Sequence, residues 1–186
     1  NALLLNGATI ENVANDPAVL DLPLAGTANS LSGQKNIGID GIVPVITSVS
    51  VPSNGVYAIG QNLDFTINLS EAVLVNGTPQ LSLTVGATTR QAIYIAGSGS
   101  TALVFRYTVP SGDLDLNGIV VGALTLNEGT IRDAVGNDAN LTLNSVGSTS
   151  QVLVDGESPT VITFTISETQ LAIGQTATVT ITFSEA

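Results

Sequence analysis

Residues 40–71, DGIVPVITSVSVPSNGVYAIGQNLDFTINLSE, decide the fold of this chain. They occur a second time, altered, as residues 155–185, DGESPTVITFTISETQLAIGQTATVTITFSE. Both copies contain Asp-Gly, a Pro, an alternating apolar run, Ala-Ile-Gly-Gln and a second alternating run that ends in Ser-Glu-Ala. The interval of about 115 residues is the size of one small domain. The repetition therefore predicts a tandem array of similar domains.

The composition favours a packed, acidic protein. The 186 residues are 44% hydrophobic, and 4 Lys and Arg stand against 15 Asp and Glu, a net charge of −11. Such a surface repels phosphate and anionic lipid, and no apolar run reaches the roughly 20 residues of a membrane helix, so we expect no nucleic-acid partner and no membrane insertion. Without Cys or His the chain cannot build a thiolate metal site or a Ser-His or Cys-His nucleophile. We predict that it is not an enzyme.

Alternating apolar residues predict strands throughout the middle of the chain. Residues 63–69 are the clearest example, with Leu, Phe, Ile and Leu at every second position and polar residues between them. About seven such runs are separated by Gly-, Pro- and Asn-rich turns, and no segment shows sustained helical periodicity. The pattern predicts an all-β fold, an immunoglobulin-like antiparallel β-sandwich of about seven strands. Phe65, Phe105 and Tyr107 are expected in its core.

Internal similarity divides the chain into three parts. Residues 2–7, ALLLNG, resemble residues 123–128, ALTLNE, so 1–41 are predicted to be the C-terminal part of a preceding repeat. Residues 42–158 are predicted to form one complete sandwich, and 159–186 the N-terminal strands of a following repeat. Two strands cannot bury their apolar face alone. We therefore expect both end segments to be pieces of domains, covered by the central domain or by neighbouring molecules.

The order of the short motifs resembles that of a known group of repeats. Asp-Gly-x-x-Pro, Ser-Glu-Ala, Ala-Leu-Thr-Leu-Asn, Gly-Thr-Ile and Asp-Ala-x-Gly-Asn, ending in Val-Leu-Val-Asp, are similar to the immunoglobulin-like tandem repeats of very large secreted bacterial adhesins and RTX-type surface proteins. The resemblance implies an extender module of a stalk at the cell surface, with calcium near the junctions and neighbouring repeats of the same polypeptide as partners. The alternative is a carbohydrate- or surface-binding module, whose partner would be a host or surface glycan or protein.

The alternation of strand direction, here called strand parity, predicts that one cluster of acidic residues lies at the end where the chain enters the sandwich. The first predicted strand leads away from Asp40, and the second returns to Glu71. With seven strands, the loop before the last strand reaches the same end, and it contains Asp133, Asn137 and Asp138. Calcium takes about 6–8 oxygen ligands, and carboxylates packed closely repel one another without a cation. We therefore predict a Ca²⁺ site formed by these five residues.

A second acidic group is predicted at the opposite end. Asp113, Asp115 and Asn117 alternate before a Gly, as oxygen ligands do at the start of a calcium loop. The twelfth position of such a loop would be Leu124 instead of Glu, so this is not an EF-hand. The same residue types are typical of ordinary turns. Calcium binding and turn formation therefore remain two open interpretations of this loop.

The outgoing linker is expected beside that loop. Asp155 and Glu157 begin the linker, and Glu185 occupies the position in the next repeat that Glu71 has in the complete one. If Asp155, Glu185 and the loop shared a calcium ion, it would fix the angle between neighbouring domains.

Overall fold

The computed structural model describes residues 5–35 and 38–185, and the chain divides into two compact units, Asn1–Gly41 and Ile42–Ala186. Ala2, Leu3 and Leu4 of the first-repeat motif lie outside the described residues. The described part of the first unit consists of turns and one short helix, α1 (Leu31–Gln34). In the ranges described, no helix is long and apolar enough to cross a membrane.

Strands make up most of the second unit. They are β1 (Ile46–Ser50), β2 (Gly55–Ala58), β3 (Asn62–Asn76), β4 (Gln80–Val85), β5 (Thr88–Ala96), β6 (Ser100–Thr108), β7 (Leu114–Asp115), β8 (Val120–Thr125), β9 (Thr130–Arg132), β10 (Val152–Asp155), β11 (Val161–Ile166) and β12 (Val179–Phe183). The predicted alternation is confirmed in the first half of β3, where Leu63, Phe65, Ile67 and Leu69 are buried.

Two sheets enclose the core of the second unit. The larger, curled sheet has the antiparallel order β1-β3-β6-β5-β4-β8, and β9 adds to the far end of β3. The smaller sheet has the order β2-β10-β7, in which β2 runs parallel to β10. The prediction of an all-β, sandwich-like fold is confirmed, whereas the immunoglobulin-like strand arrangement stays a prediction.

The core is continuous between the two sheets. Leu63, Phe65 and Phe105 of the larger sheet and Val152 and Val154 of β10 have no exposed surface. Burying each such side chain stabilises a fold by about 1.5–3 kcal/mol. Both sheets are therefore held by the same apolar cluster, which fixes the loops at its two ends.

The sequence analysis missed three short strands and the second half of β3. Residues 42–158 contain ten strands instead of about seven, because β2, β7 and β9 are only two to four residues long and show too few alternations to be detected. The second predicted strand was expected to end at Glu71, but β3 continues to Asn76 through a register shift between Asn68 and Val73. Its last three residues pair with β9 instead of β6.

The outer edge of β1 is covered by an irregular segment, residues 139–147. It runs parallel to β1, with bridges between Val45 and Asn140 and between Val49 and Val146. The amide of Asn140 donates to the carbonyl of Pro44 over 2.8 Å. Since the segment follows directly after residue 138, this pairing holds the preceding loop beside the start of β1.

Among the residues that the structure describes, no other element pairs with the hairpin of β11 and β12. The two strands pair only with each other, and every residue in both is exposed. Phe164 is 67% and Phe183 is 49% exposed. Within the described residues the central sandwich does not cover this hairpin, and its assignment to a following repeat stays a prediction.

Candidate functional site

The antiparallel pairing of β1 and β3 returns the chain to the place where it enters the second unit. Ile46 lies opposite Leu69, and the amide of Ser70 donates to the carbonyl of Val45 over 2.9 Å. The Ser70 hydroxyl in turn accepts from the Val45 amide over 3.0 Å. Glu71, the next residue, therefore lies at the entry end of the sandwich, as strand parity predicts.

The bend in β3 brings a second carboxylate to Glu71. Beyond the register shift, Leu74 pairs with Arg132 of β9, and Asp133 follows that strand directly. Carboxylate oxygens of Glu71 and Asp133 lie within 4.8 Å of each other. Asp133 is buried, Glu71 is half-buried, and its Oε1 is shielded from solvent. The two groups form a carboxylate pair at the entry end.

Residues 133–138, here called the entry loop, fold around the Asp133 carboxylate. Oδ1 accepts from the amides of Val135, Gly136 and Asn137 over 2.7–2.9 Å, and Oδ2 accepts from Asn137 Nδ2 over 2.7 Å. Burial alone would raise the pKa of Asp133, but the hydrogen bonds from Asn137, Gly136 and Val135 outweigh burial and lower that pKa. The loop therefore stabilises Asp133 as an anion.

Asn137 also ties the entry loop to the incoming chain. Its Nδ2 donates to the carbonyl oxygen of Ile42 over 3.1 Å. The entry end thus gathers two carboxylates, a carboxamide and a main-chain carbonyl. The carboxylates and the carbonyl offer oxygen, which calcium prefers, whereas Asn137 presents its amide nitrogen to them; two oxygens that each lie about 2.4 Å from one ion are at most about 4.8 Å apart. The donor set fits a hard divalent cation.

One predicted ligand of this group has another partner. Asp138 is bound by Arg132, whose Nε donates to Oδ1 over 2.6 Å, so it is engaged by an arginine instead of facing the carboxylate pair. Asp40 belongs to the first unit, two residues before Ile42, and its part in this group stays a prediction.

Residues 113–118, here called the exit loop, use their carboxylates differently. Arg90 binds both oxygens of Asp113, with Nε to Oδ2 at 2.7 Å and Nη2 to Oδ1, and the Tyr107 hydroxyl donates to Oδ2. The bonds from Arg90, opposed by burial and assisted by Tyr107, lower the pKa of Asp113. Burial, together with the bond to Asp113, raises the pKa of Tyr107. The charge of Asp113 is thus balanced within the protein.

Asp115 and Asn117 have structural roles in the exit loop. Asp115 is buried, and its Oδ1 accepts from the amides of Asn117 and Gly118 over 3.2 and 2.9 Å. Its Oδ2 accepts from the amide of Gly86, in the turn between β4 and β5, over 2.7 Å. Of the two interpretations that the sequence left open for this loop, the contacts of Asp113 and Asp115 favour turn formation.

The outgoing linker lies beside the exit loop, as expected. The amide of Gly156 donates to the carbonyl of Asp113, and Asp155 Oδ1 accepts from the amide of Glu157 over 3.2 Å. Glu185 follows β12, and its Oε1 is buried with no hydrogen-bond partner among the described residues. The structure therefore brings Asp155 to the exit loop but gives its carboxylate a local backbone partner.

The arginines are the site residues that sequence reasoning missed. Asp113, Asp64 and Asp138 each pair with one arginine, namely Arg90, Arg106 and Arg132. The sequence contains only these three arginines and Lys35, so their scarcity was the available signal. Which aspartate each would meet depends on strand register, which the sequence did not give.

The entry loop has a counterpart in the first unit. There Asn12 Oδ1 accepts from the amides of Ala14 and Asp16, and Asn12 Nδ2 donates to Asp16 Oδ2 over 2.9 Å. The same backbone bond closes both loops, from Asn12 to Asp16 and from Asp133 to Asn137. The carboxylate and the carboxamide have exchanged positions, but the loop conformation is repeated.

The Ala-Ile-Gly-Gln turn is repeated in the same way. The Gln61 amide donates to the Ala58 carbonyl over 3.0 Å and Gln61 Oε1 accepts from the Ala58 amide over 2.8 Å. Gln175 and Ala172 form the same two bonds, over 3.1 and 2.8 Å. Sequence similarity therefore corresponds to equal local geometry.

A shallow groove of about 620 Å³ lies beside the entry loop. Its lining includes Leu74, Ser98, Arg132 and Asp133, and it contains no aromatic side chain. A sugar-binding platform normally uses such side chains, so the groove gives no support to the carbohydrate-binding alternative.

Comparison of the chain with protein-family models, with curated proteins and with solved structures finds no match. The functional conclusion therefore depends on the contacts described above.

Proposed function

We propose that this chain is part of a tandem array of β-sandwich modules that acts as a non-catalytic extender, or stalk, of a large secreted bacterial surface protein. The observation that carries the proposal is the repeated local geometry. The loops that begin at Asn12 and Asp133 share a hydrogen-bond pattern, and so do the turns closed by Gln61 and Gln175. Repeats of this kind are suited to spanning distance, since each module adds a similar length.

We further propose that calcium stiffens the junction at the entry end. Glu71 and Asp133 would supply carboxylate oxygens, and the Ile42 carbonyl and the Asn137 side chain lie in the same network. Asp40 is the further ligand that the sequence suggests, because its Asp-Gly pair recurs at residue 155. Two carboxylates this close repel each other by roughly 1–4 kcal/mol, depending on the effective dielectric constant, and a cation would relieve that repulsion.

The stalk and the calcium can be tested together on the full chain. Thermal melting and small-angle X-ray scattering are measured with millimolar CaCl₂ and with excess EDTA. We expect a lower melting temperature and a broader distribution of intramolecular distances in EDTA, because the junction loses its ion. Identical melting curves and scattering profiles in the two buffers would contradict the calcium proposal. A specific glycan found on a glycan array would contradict the stalk proposal and support a binding module.

A further inference from the structure

The chain leaves the sandwich through a narrow passage at the exit loop. Gly156 is buried, its amide donates to the Asp113 carbonyl over 2.7 Å, and its carbonyl accepts from the Gly112 amide over 2.8 Å. A Cβ atom at position 156 would lie 2.5 Å from the Pro110 carbonyl oxygen and 2.7 Å from that of Asp113. Only glycine allows the two stretches of main chain to approach this closely.

The main chain of Asp113 is itself fixed by its side chain. The carboxylate, of which 2% is exposed, is bound by Arg90 of β5 and by the Tyr107 hydroxyl of β6. Both strands belong to the larger sheet, so the exit loop is anchored on that sheet at two adjacent strands. Only the carboxylate of this ion pair is shielded from water, but the two bonds from Arg90 and the one from Tyr107 are charge-assisted and fix the geometry of the loop.

A second anchor fixes the strand that precedes the exit. Leu114 and Asp115 form β7, which pairs with Asp155 and Val154 of β10. The Asp115 carboxylate accepts from the Gly86 amide in the turn between β4 and β5. The start of the outgoing linker is therefore held by β7 and by the main chain of Asp113.

We infer that Asp113, Arg90 and Tyr107 form a latch that sets the direction in which the chain leaves the sandwich, and that the latch needs no metal ion. The three residues act as positioning residues for residues 155–157 through the main chain of the exit loop. The proposed function places calcium at the entry end. The latch goes beyond it, because the exit end of the same module is then stiffened by side chains. The exit junction is closed by protein groups alone.

Amide hydrogen exchange, followed by NMR on the ¹⁵N-labelled full chain, tests the latch. In the unmodified chain we expect the Gly156 and Gly112 amides to be protected equally in CaCl₂ and in EDTA. In Arg90→Gln, both amides should exchange at least about 10-fold faster relative to the Phe105 amide, which reports on the core. A purely global loss of stability would accelerate all three amides together.

Two further variants keep the test decisive. Arg106→Gln removes an exposed bidentate pair with Asp64, in which each bond is 2.7 Å, and it should leave the Gly156 amide unchanged. Tyr107→Phe removes only one hydroxyl donor and should accelerate Gly156 less than Arg90→Gln does, so it decides the matter if Arg90→Gln fails to fold. The inference is overturned if EDTA alone exposes Gly156, or if neither latch variant changes the ratio of Gly156 to Phe105 exchange.

Discussion

The entry loop and the exit loop of the second unit look alike in sequence and differ in how their negative charge is balanced. Both combine Asp, Asn and Gly, and each encloses a buried carboxylate that accepts several backbone amides. The exit loop adds Arg90 and the Tyr107 hydroxyl, whereas the entry loop places Asp133 within 4.8 Å of a second carboxylate, Glu71. A dense acidic loop is therefore insufficient to indicate a cation, and the partners decide its role.

Removal of the exit-loop carboxylate should have the largest effect. Asp113→Ala leaves Arg90 and the buried Tyr107 hydroxyl without their acceptor. We expect a loss of about 2 kcal/mol, below the roughly 3–5 kcal/mol of a fully buried pair, because Arg90 is 38% exposed and solvent screens it. Urea denaturation measures the loss. Asp64→Ala, in the exposed pair with Arg106, is the control and should stay within about 0.5 kcal/mol of the unmodified chain.

The two glycines of the repeated Asp-Gly pair should respond differently to alanine. A Cβ at Gly156 would meet main-chain oxygens at 2.5 and 2.7 Å, whereas a Cβ at Gly41 has nothing within 4 Å. We expect Gly156→Ala to cost about 1–3 kcal/mol through overpacking, and Gly41→Ala to change stability by less than about 0.5 kcal/mol. The same urea titration compares them, and equal losses would show that the exit passage is not tight.

Neutralising the entry carboxylate should abolish the response to calcium. A site with a dissociation constant of about 10⁻⁴ M adds about 1.4 kcal/mol at millimolar calcium. Glu71→Gln should remove that increment, while Glu157→Gln, an exposed glutamate beside the exit, should keep it. Melting curves with and without calcium measure both variants, and an unchanged increment in Glu71→Gln would exclude Glu71 as a ligand.

The exit loop should also make the stability of the fold depend weakly on pH. Since burial and the bond to Asp113 raise the pKa of Tyr107, its contribution to stability is present below its unfolded pKa of about 10 and is lost as the pH rises above that value. Since Arg90 lowers the pKa of Asp113, the contribution of that group is present above about pH 4 and is lost as the pH falls. Tyr107→Phe should remove the alkaline loss and keep the acid loss, as measured by denaturation across pH.

The features that repeat every second residue could be predicted from the sequence. Leu63, Phe65 and Ile67 alternate with polar residues, which was sufficient to place the first half of β3 and to show that Glu71 returns to the entry end. The continuation of β3 could not be predicted, because residues 70–72 interrupt the alternation and the partner of Leu74 is Arg132, far along the chain. Long-range pairing decides such extensions.

The candidate site was predicted less completely for the same reason. Strand direction was predictable and returns Glu71 to the entry end, but its proximity to Asp133 also depends on the bend in β3 and on the pairing of β3 with β9. The pairing of Arg90 with Asp113 depends on the register of β5 and β6. A shift of one residue would turn Arg90 to the other face of the sheet. Carboxylates could therefore be assigned to an end of the sandwich, but their cationic partners could not.

The central claim, that a cation binds at the entry loop and not at the exit loop, is tested most directly by a calcium titration of the ¹⁵N-labelled full chain monitored by NMR. We predict saturable chemical-shift changes at the amides of Ser70, Gly136 and Asn137, with Gly112, Gly118 and Gly156 unchanged. The absence of any shift at millimolar calcium, or shifts that are largest in the exit loop, would contradict it.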